Sequence, residues 1–297
     1  MILEYDVKNN GNKFKNPLCF NFLTNSPEFT INYELSNIIE GNFPHVGITA
    51  RQGLTILYKK GDNWLNVNTY ARDFNKTIDM RPMIDNSEEY EVLVYGPILS
   101  KIEKFSISVP EENTIRKIER NYENKLLVIG GMHSFGIGCT TTGVMFSNIL
   151  SRKLDLEVNQ ITFNNRNYIK DIYYFLNNNE ISNYEYIIFE LDYLNQDDEL
   201  VNEYLVKTID LLKNHCKKII GWIVIPPKNT YKKNNLEKLI HQNKLDKKVL
   251  IYDFSDIYDD ALVDMCTSSD YFINDTGNII IFKKLINILR SLEKWNI

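Results

Sequence analysis

The chain has 297 residues, 43% of them hydrophobic and 25% charged. That is an ordinary globular composition, which excludes a disordered chain, a collagen-like fibre and a small disulfide scaffold. Lys and Arg number 34 against 39 Asp and Glu, a net charge of −5, so a general nucleic-acid-binding surface is disfavoured: phosphate binding needs a basic face.

At ~150 residues per domain the length suggests two domains. No apolar run reaches the ~18 residues needed to cross a bilayer. The opening Met-Ile-Leu-Glu-Tyr-Asp has neither a basic n-region nor an apolar h-region, so no secretory signal is expected. The four cysteines, Cys19, Cys139, Cys216 and Cys266, form no CxxC pair. Neither a zinc site nor a disulfide framework is expected, and a reduced, cytoplasmic setting is the default.

The first ~110 residues read as β. Gly53–Tyr58 and Glu91–Tyr95 are short, β-branched or aromatic, and bounded by turn residues. Lys60-Gly61-Asp62-Asn63 predicts a turn between strands. Lys104–Val109 alternates, with Phe105, Ile107 and Val109 on one face. These features predict an antiparallel β-sandwich, and Pro110–Asn113 reads as the linker that closes it.

Strands and helices then alternate. Leu126–Ile129 is a continuous apolar run, as expected for a strand buried on both faces. A helix over Gly143–Leu154, a weaker strand over Val158–Phe163 and a helix over Tyr168–Leu176 follow. Tyr186–Leu191 is a buried strand, Glu199–Lys213 a helix, and Ile219–Ile225 a strand stopped by Pro226-Pro227. Leu236–Gln242 is helix-like, Val249–Tyr252 is a fifth strand, and Asn278–Leu292 is the closing helix. Five strands separated by helices predict a parallel, doubly wound α/β/α domain, with its site at the carboxyl ends of the strands.

The first of those strand ends reads Gly130-Gly131-Met132-His133-Ser134-Phe135-Gly136-Ile137-Gly138. The glycines permit a tight turn, and the following helix offers free N–H groups to an anion. The segment matches neither the P-loop, which needs Gly-Lys-Ser/Thr, nor the dinucleotide pattern G-x-G-x-x-G. No nucleotide or other cofactor is implied.

Val128–Gly138 resembles the first block of the SGNH (GDSL-type) hydrolases, roughly G-[DS]-S-I-T-x-G, and Thr142–Leu154 looks like the helix that follows it. That family's last block is D-x-x-H before a helix. Asp270-Tyr271-Phe272-Ile273-Asn274-Asp275-x-Gly277-Asn278 has the same cadence. The leading sandwich resembles the accessory N-terminal domain of some carbohydrate-esterase branches. The resemblance implies a sandwich over 1–112 and a flavodoxin-like three-layer domain over 113–297, with no metal and no cofactor.

It also assigns roles. With Gly136 on the family's block-one glycine, the nucleophile position falls on Met132, whose thioether cannot be deprotonated to attack a carbonyl. The block-two glycine, an oxyanion donor through its N–H, falls near Thr162, before Phe163-Asn164-Asn165. The block-three asparagine falls on Leu194 or, one residue on, Asn195. In the last block the acid and base fall on Asp270 and Ile273, or on Ser269 and Phe272. Neither Ile nor Phe is a base. The resemblance therefore implies a degenerate, non-hydrolytic relative that binds a glycan, an acylated compound or a protein partner. Its binding positions would be Gly131, Met132, Gly136, Thr162, Asn164 and Asn195.

The enzymatic alternative is an O-acyl esterase or acyltransferase. A two-residue shift makes Ser134 the nucleophile, because Ser134-x-x-x-Gly138 keeps the serine-to-glycine interval. His133 or a residue from elsewhere would be the base and Asp270 the acid. N–H groups around Gly136, with Asn164 or Asn195, would face the oxyanion. This reading needs a base within ~3 Å of the hydroxyl, or one water away.

Plainer readings stand beside these. Ser134 could be a helix cap or turn hydroxyl, and Asp270 a turn acid. Cys139, near a helix start, is either a lowered-pKa thiol or a small buried residue. His215 and His241 read as surface residues, and His45 lies in a sandwich loop. Asp253, Asp256, Asp259 and Asp260 lack the glycine and distal glutamate of a calcium loop and read as a solvated face. Lys228, Lys232 and Lys233 read as a solvated loop. Trp64, Tyr58 and Tyr70 form either a sugar-stacking platform or core. An exposed edge strand of the sandwich is a third, purely structural possibility.

Overall fold

A computed structural model of the chain describes residues 1–7, 17–38, 45–71, 73–84, 88–118, 122, 124–163, 165, 168–191, 198–226, 229–247, 249–259, 262–268 and 271–292. The chain divides into two compact units, Met1–Asn121 with Thr140–Gly143, and Tyr122–Cys139 with Val144–Ile297.

The first unit holds β1 (Ile2–Tyr5), β2 (Cys19–Thr24), β3 (Glu28–Ser36), α1 (Ile48–Gln52), β4 (Gly53–Lys60), β5 (Asn63–Ala71), β6 (Asn75–Asp79), β7 (Tyr90–Tyr95), β8 (Lys101–Ser108) and β9 (Ile115–Lys117). Two antiparallel sheets result, ordered β1-β8-β3-β6 and β5-β4-β7-β2-β9. Alternation sorts their side chains: Phe29, Ile31 and Tyr33 on β3 are buried, as are Ile102, Phe105 and Ile107 on β8. These meet Phe20, Phe22, Ile56, Val92 and Val94 of the other sheet in one core. Phe20 and Phe105 stack at 3.8 Å, with Tyr5 edge-on to both. Gly61, with φ of +58°, makes the tight β4–β5 turn that the sequence predicted. Tyr58 belongs to the core, while Trp64 is half-buried against Leu57, Leu93 and Tyr95. The side chain of Tyr70 lies outside the described residues. Strand β9 follows the Pro110–Asn113 turn and pairs with β2.

Thr140–Gly143 belongs to this first unit because α1 and β4 hold it. Ala50 N–H donates to Thr140 O at 3.1 Å, and the Thr55 and Thr142 hydroxyls lie 3.1 Å apart. That tether explains why the helix expected from Gly143 begins only at Phe146.

The second unit holds β10 (Lys125–Gly130), α2 (Met132–Phe135), α3 (Phe146–Leu154), β11 (Glu157–Thr162), α4 (Tyr168–Asn177), β12 (Tyr184–Glu190), α5 (Asp198–Leu212), β13 (Cys216–Ile223), α6 (Thr230–Gln242), β14 (Val249–Asp253), α7 (Val263–Cys266), β15 (Thr267–Ser268), β16 (Phe272–Ile273) and α8 (Asp275–Leu292). Strands β10 to β14 form a parallel sheet ordered β11-β10-β12-β13-β14. This is the doubly wound order 2-1-3-4-5 of flavodoxin-like folds, which places the topological switch point between β10 and β12. Helices α3 and α8 pack together on one face, over Leu126, Val128, Ile188, Ile220 and Trp222, and α4 packs on α5. Asn274 begins α8: its side-chain oxygen accepts the Gly277 N–H at 3.2 Å, so the helix starts three residues before its expected Asn278.

The lysine cluster is corrected by α6. Lys232 and Lys233 stand on that helix, not in a loop, and pair with Asp198 and Asp253; Lys228 lies outside the described residues. Asp256 pairs with Lys284 at 2.6 Å, and Asp260 is not described. Among the described residues there is no cluster of His, Cys, Asp and Glu that could hold a metal, and no helix long and apolar enough to cross a membrane.

Candidate functional site

The switch point fixes where to look. Strands β10 and β12 are adjacent and in register up to Ile129 and Phe189, so Gly130 and Glu190 come next, side by side. Gly130 also faces Thr162 on β11, and Glu190 faces Trp222 on β13. The row Thr162–Gly130–Glu190–Trp222 thus closes the sheet at its carboxyl edge.

Glu190 organises the turn that leaves β10. It is 1% exposed. Its Oε2 accepts the Ser134 N–H at 2.7 Å and the Gly131 N–H at 3.2 Å, and its Oε1 accepts the His133 N–H at 3.4 Å. The start of a helix leaves N–H groups without intrahelical partners, and this carboxyl group takes up three of them. Only glycine fits at 130, where a Cβ would lie 2.5 Å from Ser134 Oγ and 2.6 Å from Glu190 Oε2. At 131 a Cβ would lie 2.5 Å from the buried ring of Tyr168.

The candidate residues fall around this pin. Met132 is half-buried at the head of α2. Ser134 is 0% exposed, and its Oγ has no hydrogen-bond partner among the described residues. His133 is 2% exposed, with its ring 5.2 Å from that of Tyr271. Gly136 ends α2 in the left-handed region at φ +91°. Thr162 is half-buried, and its Oγ1 has no partner among the described residues. Asn164, Leu194, Asn195, Ser269 and Asp270 lie outside the described residues.

The two motif segments do come together. A Cβ at Gly138 would sit 2.3 Å from the carbonyl oxygen of Ile273. Ile273 is fully buried in the β15–β16 hairpin, and Phe272 is half-buried beside it. Asn278 fastens this region, donating to Ile273 O at 3.2 Å and accepting the Phe146 N–H at 3.1 Å.

His215 precedes β13, at the amino end of the sheet. A strand of eight residues spans about 26 Å, which removes it from the carboxyl edge of the sheet. His241 lies in the exposed last turn of α6. His45 belongs to the first unit.

Cys139 is fully buried, and that burial, with Asp275 nearby, pushes its thiol well above the usual range. This overturns the lowered-pKa reading. We expect native protein near about pH 8 to leave Cys139 unmodified by N-ethylmaleimide, with labelling only after unfolding; peptide mass mapping checks this.

Sequence reasoning passed over Glu190 and Tyr168 as site residues. Glu190 did carry a signal, as a charged residue closing an otherwise apolar strand. Tyr168 carried none, because its role lies in a contact with a glycine 37 positions earlier.

The sequence profile named GxDLY, the N-terminus of the SGNH-hydrolase-type esterases, matches residues 12–115. No curated protein matches the chain in sequence. Among solved structures, a GDSL-like lipase of Bacteroides ovatus superposes with a TM-score of 0.75 at 17% identity, over 97% of this chain and 88% of that one. The salicylyl-acyltransferase SsfX3 of a tetracycline biosynthetic pathway gives 0.64 at 12%, over 92% and 82%. A family two carbohydrate esterase of Clostridium thermocellum, in complex with cellohexaose, gives 0.63 at 9%, over 93% and 92%. Sheet order, switch-point turn and these likenesses agree that the chain has the SGNH/GDSL-hydrolase fold, led by a GxDLY-type N-terminal region.

Proposed function

We propose that this protein is a non-hydrolytic member of the SGNH-like fold that binds an acylated compound or glycan at the switch-point crevice. The observation that carries the reading is the state of Ser134. Its hydroxyl has no exposed surface, and its backbone N–H is committed to Glu190. A nucleophile must reach its substrate, and in this turn the partly exposed side chain is the thioether of Met132. The base positions carry Phe272 and Ile273, which hold no proton to exchange. The ligand class follows from where doubly wound sheets bind, at the switch point, and from neighbours of the same fold that handle cellohexaose and a salicylyl group.

Purified protein is expected to hydrolyse p-nitrophenyl acetate no faster than buffer, while an acetylated cello-oligosaccharide binds in titration calorimetry. Met132→Trp, which enlarges the partly exposed side chain of this turn, should weaken that binding about ten-fold. Turnover abolished by Ser134→Ala would instead establish the esterase reading, with His133 or a residue from elsewhere as base.

A further inference from the structure

Away from the crevice, α3 and α8 border a surface groove of about 380 Å³. Its floor is Phe282 and Ile286, and its rim is Lys153, Lys283, Asn287 and Arg290. On α8 these residues fall at i, i+1, i+4, i+5 and i+8, one continuous stripe of the helix. We propose that this groove is a docking surface for an acidic amphipathic helix of another protein.

Charge is the main argument. The chain carries a net −5, and many of its surface cations are paired, including Lys284 with Asp256, Lys207 with Glu203 and Lys213 with Asp210. Lys153, Lys283 and Arg290 have no ion-pair partner among the described residues, yet all three border one groove. Cations in the last turn of a helix complement its dipole, which accounts for Lys153 on α3 and Arg290 on α8. Lys283 stands at the middle of α8, where the dipole gives it no such role.

Spacing specifies the partner. Lys283 and Arg290 are two helical turns apart, about 10.5 Å along the axis. A helix lying along α8 with carboxylates at i and i+7 meets both cations, and an apolar residue at i+3 or i+4 falls on Phe282 and Ile286. Exposed ion pairs contribute little each. The apolar floor supplies the affinity, while the charges set orientation and association rate.

The probe is a fluorescein-labelled synthetic helix with Glu at i and i+7 and Leu at i+3 and i+4, read by anisotropy against the full-length protein. A scrambled peptide of the same composition serves as control. Lys283→Glu with Arg290→Glu should weaken binding of the designed helix about ten-fold or more, and raising salt from ~50 to ~300 mM should weaken the unaltered protein's binding as well. The salt series does not depend on how the variant folds. Equal binding by variant and parent, or by scrambled and designed peptides, overturns the proposal. So does vesicle binding through phosphatidylglycerol, or self-association, that is lost in the double variant while the helix fails to bind: the groove would then serve a membrane or a second copy. None of these outcomes depends on whether the crevice is catalytic.

Discussion

Glu190→Ala is expected to lower the stability of the protein by about 3 kcal/mol, while Glu190→Gln costs less than half of that. The alanine variant strips the acceptor from the Gly131, His133 and Ser134 N–H groups at once. Leaving a buried donor unpaired costs ~1–3 kcal/mol each. Removing a buried carboxyl group also relieves its own desolvation, which offsets part of the sum. Glutamine keeps an oxygen where Oε2 stands and so retains the two better-placed bonds, to Ser134 and Gly131. Of these three bonds, the 3.4 Å contact to His133 is the one lost. Urea denaturation read by circular dichroism, at unchanged m-value, gives both numbers. Amide resonances of residues 131, 133 and 134 should shift most in the alanine variant. Equal costs for Ala and Gln would mean that the carboxyl oxygens do not hold the turn.

The layout of the second unit was legible because its signals are local. Leu126–Ile129 and Tyr186–Phe189 are apolar on both faces, and only a strand inside a covered parallel sheet buries both. Alternation with helices then leads to the doubly wound order and its switch point. The sandwich was half legible. Lys104–Val109 shows its alternation openly, whereas β5, Asn-Trp-Leu-Asn-Val-Asn-Thr-Tyr-Ala, dilutes it with asparagine. The four-residue helix α2 has no period to detect. Its shape comes from Glu190, 56 residues beyond Ser134, and from the left-handed Gly136 that ends it. The candidate site was legible as a place but not as an arrangement. Motif spacing led to Met132, Phe272 and Ile273 as expectations. That Ser134 would be sealed beneath Gly130 could not, because the seal is a tertiary contact. The same holds for the start of α3, displaced by the hold of α1 and β4 on Thr140 and Thr142.

Gly138→Ala should be still more damaging, at about 3–5 kcal/mol, because two independent costs coincide. The residue stands at φ +108°, which side-chain-bearing residues rarely adopt. Its new Cβ would also meet the Ile273 carbonyl oxygen at 2.3 Å. That oxygen is backbone, belongs to a fully buried residue and already accepts a hydrogen bond from Asn278, so it has little freedom to retreat. Gly61→Ala gives a milder reference for positive φ. Its φ is +58° and nothing lies within 4 Å of the added atom, so only the left-handed backbone penalty of about 1 kcal/mol applies. The excess destabilisation of Gly138→Ala over Gly61→Ala therefore reports the close approach of the two motif segments together with the harsher φ at 138. In Gly138→Ala that approach must open, and the contact between the His133 and Tyr271 rings, now 5.2 Å apart, should be lost with it. The loss would be read as weaker ring–ring cross-peaks in nuclear Overhauser spectra. A Gly138→Ala variant no less stable than Gly61→Ala would mean that the segment after β10 does not rest on the β15–β16 hairpin. The glycine interval that lets Ser134 imitate a nucleophile would then need a different explanation from the one given by packing: Gly138 is glycine because Ile273 lies against it.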